Sequence, residues 1–383
     1  MLVNRTGKSH IALIIQYFVI AAVGISFTSS HTYADNNKRS KNSWLSVLVA
    51  SHKARLGRPF TELQEQIDAL NAQLAILEAE VDEQLMSTVP VEVTVDCGLG
   101  ESVTDVLDQY RFGTAPLTIN ITGRCQEIAI ILRDRVTLQG VSPIDGFTAV
   151  SGVFGVVTVS RGAKDVTLRN LTITSASPNG GLGLIATKNS HVTVVDTTFE
   201  DFGTGVLTLD SAFVEITGST ITNNLTGVSA ARNSNINLSN SILDNNRTGF
   251  AASSSSVVNL FSLDPSGTAV DGVVVNSTSV GGSAATAGAL LISNSEINAL
   301  NVGVDLSTSA VAQISSTSIS NNVIGVQARK NTSVVFGPIN TFNNNGQGVN
   351  CDPDASYQVI IPITTLPGTM NGNGEDVVGC TDF

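Results

Sequence analysis

Residues 191–256 read HVTVVDTTFEDFGTGVLTLDSA, FVEITGSTITNNLTGVSAARNS and NINLSNSILDNNRTGFAASSSS when written in rows of 22. The three rows align without a gap. Val192, Val214 and Ile236 share the second position, and Val194, Ile216 and Leu238 the fourth. Phe199, Ile221 and Leu243 share the ninth, and Gly205, Gly227 and Gly249 the fifteenth. Two later rows, Ala289–Ala310 and Val311–Thr332, fall on the same template. A fixed period repeated in this way marks stacked supersecondary units, each unable to bury its apolar face alone.

Each row holds three short β-branched runs separated by Asn, Gly, Ser and Thr, with no room for a helix. Alternation at the second and fourth positions turns one face inward. One row then makes one three-strand coil, rising about 4.8 Å above the last. The pairs Asn223–Asn224, Asn245–Asn246 and Asn321–Asn322 recur at one corner. Asn tolerates the left-handed turn there and can bond the Asn of the next coil. The expected class is all-β, a single-stranded parallel β-helix of about 10 coils of ~22 residues.

This pattern resembles the right-handed parallel β-helix proteins of the pectin-lyase-like superfamily, over roughly the last three quarters of the chain. The resemblance implies a solenoid with polysaccharide as the ligand class. Lyases of this fold use an Arg or Lys base beside calcium-holding carboxylates, and hydrolases use several Asp on neighbouring coils. Of their local signatures, neither a paired Asp-Asp nor a Gly-His-Gly occurs here.

The rest of the chain frames this solenoid. It has 383 residues, 34 of them Gly, with 5% aromatics and 14% charged residues, a balance suited to small stacked side chains. The net charge is −12, so no nucleic-acid partner is expected. In residues 1–34, Arg5 and Lys8 precede an apolar run from Ile11 to Phe27 and end on Thr32-Tyr33-Ala34. That reads as a signal peptide cleaved after Ala34, with an uncleaved anchor as the alternative. The chain is expected to be secreted, periplasmic or at the cell surface. Residues 35–59 form a basic linker of net charge +5; with +2 before it, residues 60–383 carry −19.

From residue 60 to 86 the period becomes seven. Phe60, Ile67, Leu74 and Val81 occupy one seam position and Leu63, Leu70 and Leu77 the other, a short coiled coil. A lone helix of this length is marginal, so it calls for a partner, either other copies or a flank of its own β-helix. The β-helix is expected over 87–356, with a cap helix at 101–112 and a C-terminal cap at 357–383. The coils Arg135–Lys164 and Asp165–Ser190 exceed 22 residues, their extra residues read as loops, most clearly Ser177–Gly181. Val280–Gly288 is read as an insertion in the coil that starts at Val257; in solenoids such loops gather on a working face. Four cysteines in an exported chain suggest two end staples, Cys97–Cys125 and Cys351–Cys380. No CxxC or paired His accompanies them, so no metal site is expected.

Three constellations could carry chemistry. Lys188, Asp210 and Arg232 hold one row position, read as a surface charge ladder or as a lyase-like base with its carboxylate. Glu200 and Asp244 lie two coils apart, roughly 10 Å, at the wide end for an acid–base pair admitting a water. Arg133 and Arg135, with Arg161, Asp165 and Arg169, gather charge on the early coils and suggest a groove for an anionic ligand. The reading is a non-catalytic binding or display module, with Arg133, Arg135, Lys188, Asp210 and Arg232 as ligand contacts. A polysaccharide lyase or glycoside hydrolase, with Arg161, Arg169, Asp165, Glu200 and Asp244 as catalytic candidates, is one alternative, and a structural rod another. No cofactor is expected, save calcium for the lyase. Homo-oligomerisation would run through residues 60–86.

Overall fold

The computed structural model describes residues 65, 66, 68–73, 89–149, 155–261, 272–329, 331–337, 340–352, 358–360, 370, 371, 373 and 375–378. The expected signal peptide and basic linker, most of the heptad seam and most of the expected C-terminal cap lie outside the described residues. Residues 65, 66 and 68–73 are helical, and Leu70 is 44% exposed. Leu70 is the one seam residue among those described, so the coiled coil itself is not shown.

From Val91 onward the chain forms a parallel β-solenoid. Its first sheet stacks twelve strands, one per coil, from Val91–Asp96 to Gln358–Ile360. Eleven parallel pairings join them, one more coil step than the ten or so expected from the repeat. The other two strand positions of each coil share a 20-stranded sheet, because Ile242–Ser253 and Val274–Ala285 run unbroken through the corner between them.

Inside, like stacks on like. Val192, Val214, Ile236, Val258, Leu290, Ala312 and Val334 form one column in register, each fully buried. The glycine column has a steric cause. A Cβ on Gly205 would stand 2.8 Å from the carbonyl of Gly227, and one on Gly227 would stand 2.4 Å from that of Gly249. Only hydrogen fits where successive coils approach so closely.

The corners are left-handed turns filled by residues that tolerate positive φ. Asn170, Asp196, Asn240 and Asn294 hold the first corner, and Asp201, Asn223, Asn245 and Asn321 the second. The third takes two such residues in succession, as in Lys188–Asn189, Asp210–Ser211 and Arg232–Asn233. Behind the second corner runs a buried Asn ladder. Asn224 Nδ2 donates to Asn246 Oδ1 at 2.9 Å, and Asn322 Nδ2 to Asn345 Oδ1 at 2.7 Å. Buried Ser277 and Ala299 stand between these two segments.

The N-terminal end is closed by helix α1, Val103–Gln109, shorter than the expected 101–112. Val103 and Leu107 are buried against the first coils. The Glu127 carboxylate accepts from the amides of Val103 at 2.7 Å and Thr104 at 3.2 Å, satisfying the open helix start. Beyond Gln109 the backbone is diverted by Arg133, which draws the carbonyls of Tyr110 and Ala115 onto its guanidinium. Cys97 and Cys125 form a disulfide with Cα atoms 5.0 Å apart. Cys351 is also disulfide-bonded, while Cys380, its expected partner, lies outside the described residues.

One loop expectation is corrected. Val280–Gly288 is not an insertion: Val280–Ala285 is strand, paired with Thr248–Ser253 and with Val302–Leu306. Gly281 is the column glycine of its coil, its Cβ position 2.5 Å from the carbonyl of Gly303. Gly282 makes room for the Phe250 ring, which a Cβ would meet at 2.2 Å. The extra length of this coil lies earlier, between Leu260 and Val274.

Candidate functional site

Strand alternation that buries Leu117, Leu138, Leu168 and Val194 turns their neighbours outward onto the flat first sheet. Thr118, Thr137, Thr167 and Thr193 therefore form one column, each in register with the next, and Glu215 follows. The column repeats a hydroxyl at about 4.8 Å, the coil step. Beside it stand Asn120, Gln139 and Arg169, again in register. Arg169 ends the strand Val166–Arg169 and is exposed. On the other side His191 and Phe213 make an edge-to-face pair with ring centroids 4.9 Å apart. The result is a polar sheet face with hydroxyls in its centre, an amide and a guanidinium along one margin, and an aromatic ledge along the other.

The expected early-coil charge cluster does not stay together. Arg133 is buried, 8% exposed, and donates to the carbonyls of Tyr110, Ala115 and Asp134. Burial holds its pKa below the ordinary arginine value, with Arg135 lowering it further and Asp134 opposing. Arg135 donates to the Thr114 carbonyl. Both arginines thus bind the segment after α1, Arg133 buried and Arg135 exposed beside it. Arg161 stands at the third corner, in the left-handed turn with Gly162, whereas Arg169 is at the far end of the next strand. Asp165 precedes that strand with φ 55°, and four residue steps along it take the chain to Arg169, roughly 13 Å.

Lys188, Asp210 and Arg232 share the third corner with Arg161. Arg232 Nε lies 3.0 Å from Asp210 Oδ1, and Asp210 also accepts the Thr187 hydroxyl at 2.8 Å. The pair forms an exposed ion bridge, whose contribution to stability is small. Glu200 and Asp244 lie in one register column on either side of Thr222, on a different face from Arg169. Glu200 Oε1 accepts from Asn223 Nδ2 at 3.2 Å, and Asn223 Oδ1 from Asn245 Nδ2 at 2.6 Å. Glu200 thus ends an outer Asn ladder. The two catalytic constellations are not brought together.

Sequence reasoning missed the threonine column, Gln139 and the His191–Phe213 ledge. Their signal was present in Leu117-Thr118-Ile119, Val136-Thr137-Leu138, Val166-Thr167-Leu168 and Val192-Thr193-Val194. Coils of unequal length kept those triplets from aligning by eye.

Residues 150–264 match the family described as "Right handed beta helix region", and the solenoid has that architecture. No curated protein matches the chain in sequence. Among solved structures it is similar to a full-length tailspike protein of an Escherichia coli O157:H7 bacteriophage, at 10% identity and a TM-score of 0.47. That alignment covers 69% of this chain, which spans only 43% of the tailspike. It is also similar to pectin methylesterase PemA from Erwinia chrysanthemi, at 14% identity and TM-score 0.38, over 62% of this chain and 80% of that one. A mannuronan C-5 epimerase A-module from Azotobacter vinelandii aligns at 15% identity and TM-score 0.40, over 72% and 90%. At these identities the likeness speaks of fold alone.

Proposed function

We propose that this right-handed parallel β-helix is a binding module for an acidic polysaccharide laid along the outer face of its first sheet. The observation that carries the reading is the in-register column Thr118–Thr137–Thr167–Thr193 beside Gln139 and Arg169. A sugar ring in an extended chain advances by about the height of one coil, so one ring can meet one hydroxyl at each step. Arg169 offers a planar fork to a sugar carboxylate, in the geometry that guanidinium groups favour. The His191–Phe213 ledge gives an apolar ring face something to rest on. The signal-like residues 1–34 support an exported location, and the heptads of 60–86 support display on a self-associating stalk.

We read the module as non-catalytic, because Glu200 is engaged by Asn223 and stands on another face from Arg169. The test is binding of polygalacturonate to the mature protein, alongside assays for unsaturated products and new reducing ends, with and without calcium. Expected are binding that weakens with salt, about tenfold weaker binding by Arg169→Ala, and no turnover. Equal binding by Arg169→Ala would refute the site, and turnover would refute the module.

A further inference from the structure

We infer that the C-terminal coils carry a second binding site, for a neutral oligosaccharide, in a cleft at the corner between the first sheet and the second strand position. The cleft is open, with a volume of about 520 Å³, within the range of small-molecule sites. Its lining comes from four successive coils, so it runs about 14 Å along the solenoid axis, the length of two or three sugar rings. It stands four coil steps from Arg169, roughly 19 Å along the axis and around a corner. It is therefore separate from the acidic-polysaccharide face.

The chemistry along the cleft is graded. One register column runs Ile242, Val274, Glu296, Ser318 and Thr341. Ile242 is 46% exposed and leads into Val274, an apolar ledge at one end. Ser316, Ser318 and Thr341 supply hydroxyls at the other. Glu296 lies between them and is the one ionisable group of the lining among the described residues. Asn298 Nδ2 donates to Glu296 Oε1 at 3.0 Å, which fixes the carboxylate and leaves most of its lone pairs for a ligand.

A carboxylate held this way accepts two neighbouring hydroxyls of one ring, while the C–H face of that ring covers Val274. Ser and Thr hydroxyls both donate and accept, as further ring hydroxyls require. An acidic sugar is repelled by Glu296, since no cation stands among the described residues of the lining to offset it. The two sites thus differ in charge preference, one taking an anionic chain and the other a neutral one.

The experiment titrates the full mature chain with cellohexaose, maltohexaose and mannohexaose, and in parallel with hexagalacturonate. At least one neutral probe should bind in the millimolar range or tighter. Glu296→Gln should weaken it about tenfold, as expected for a hydrogen bond to a charged group. Ser318→Tyr, an outward substitution filling the cleft, should abolish it with an unchanged circular dichroism spectrum. Arg169→Ala should leave neutral binding intact while reducing hexagalacturonate binding, so the two proposals fail separately. No neutral binding, or neutral binding unaltered in both cleft variants, would overturn the inference. Loss of neutral binding in Arg169→Ala would overturn it as well.

Discussion

The coils between Leu117 and Thr217 share their interior with those between Ala289 and Phe336 but not their surface. Leu138, Leu168, Val194 and Ile216 continue in register into Leu238, Leu260, Ile292, Ile314 and Phe336, all buried. Outside, Thr137, Thr167 and Thr193 in the early coils give way to Leu291, Gln313 and Val335 in the late ones. Stacking holds the inward columns to one chemistry, because every inward residue is the neighbour of its own repeat. The outward columns are under no such constraint, so ligand chemistry can differ from one end of the rod to the other.

The largest effect that could break this comparison is an inward charge. Ile216→Asp places a carboxylate in a fully buried column and should cost several kcal/mol, seen as a large drop in melting temperature. The outward control must respect its column. Thr222 lies between Glu200 and Asp244, so Thr222→Asp should cost up to about 1 kcal/mol by like-charge stacking, and Thr222→Lys little or nothing. Equal losses for Ile216→Asp and Thr222→Lys would refute the assignment of inside and outside.

A smaller effect separates the ladder from its gap. Asn246 Oδ1 accepts from both the amide and the side chain of Asn224, and its Nδ2 donates to the Ile221 carbonyl. Asn246→Ala orphans these buried partners and should cost about 1–3 kcal/mol. Ser277, in the gap, has a buried hydroxyl without a hydrogen-bond partner among the described residues. Ser277→Ala should therefore be neutral or stabilising in denaturant melts. A cost equal to that of Asn246→Ala would contradict the ladder account.

The smallest effect concerns pH. Burial raises the pKa of Asp305 above the usual 3.8, only partly opposed by Arg329 at 3.4 Å. The folded state then holds this proton more tightly than the unfolded chain. Its contribution is fully present below the unfolded pKa and is lost as pH rises through the folded one. Asp305→Asn should raise the melting temperature at neutral pH, with the gain vanishing in acid. A loss at pH 7 would show that the pairing with Arg329 outweighs burial.

The inward columns were legible in the sequence because Val192 through Leu243 repeat at a constant 22, and burial follows alternation directly. Val280–Gly288 misled because Gly and Ala read as loop, whereas Gly282 is small to admit the Phe250 ring from the coil before. Arg133 looked like a ligand contact, since nothing local shows that the Tyr110 and Ala115 carbonyls, distant in sequence, will surround it. The cleft around Glu296 was only half legible: Glu296 and Ser318 share the eighth position of the two late rows, but their neighbours in the column do not follow from that template. Val274 follows the extra residues after Leu260, and Thr341 follows a coil one residue longer than the repeat, so neither end of the cleft falls on the template.

The central claim is that sugar rings and coils keep step along the early outer face. Its most direct test is the affinity of galacturonate oligomers from the dimer to the octamer. Affinity should climb with each added ring up to about the four coils of the threonine column, then level off, and the climb should shrink in Thr167→Ala and Arg169→Ala. Affinity independent of length, or a climb unchanged in both variants, would contradict the account.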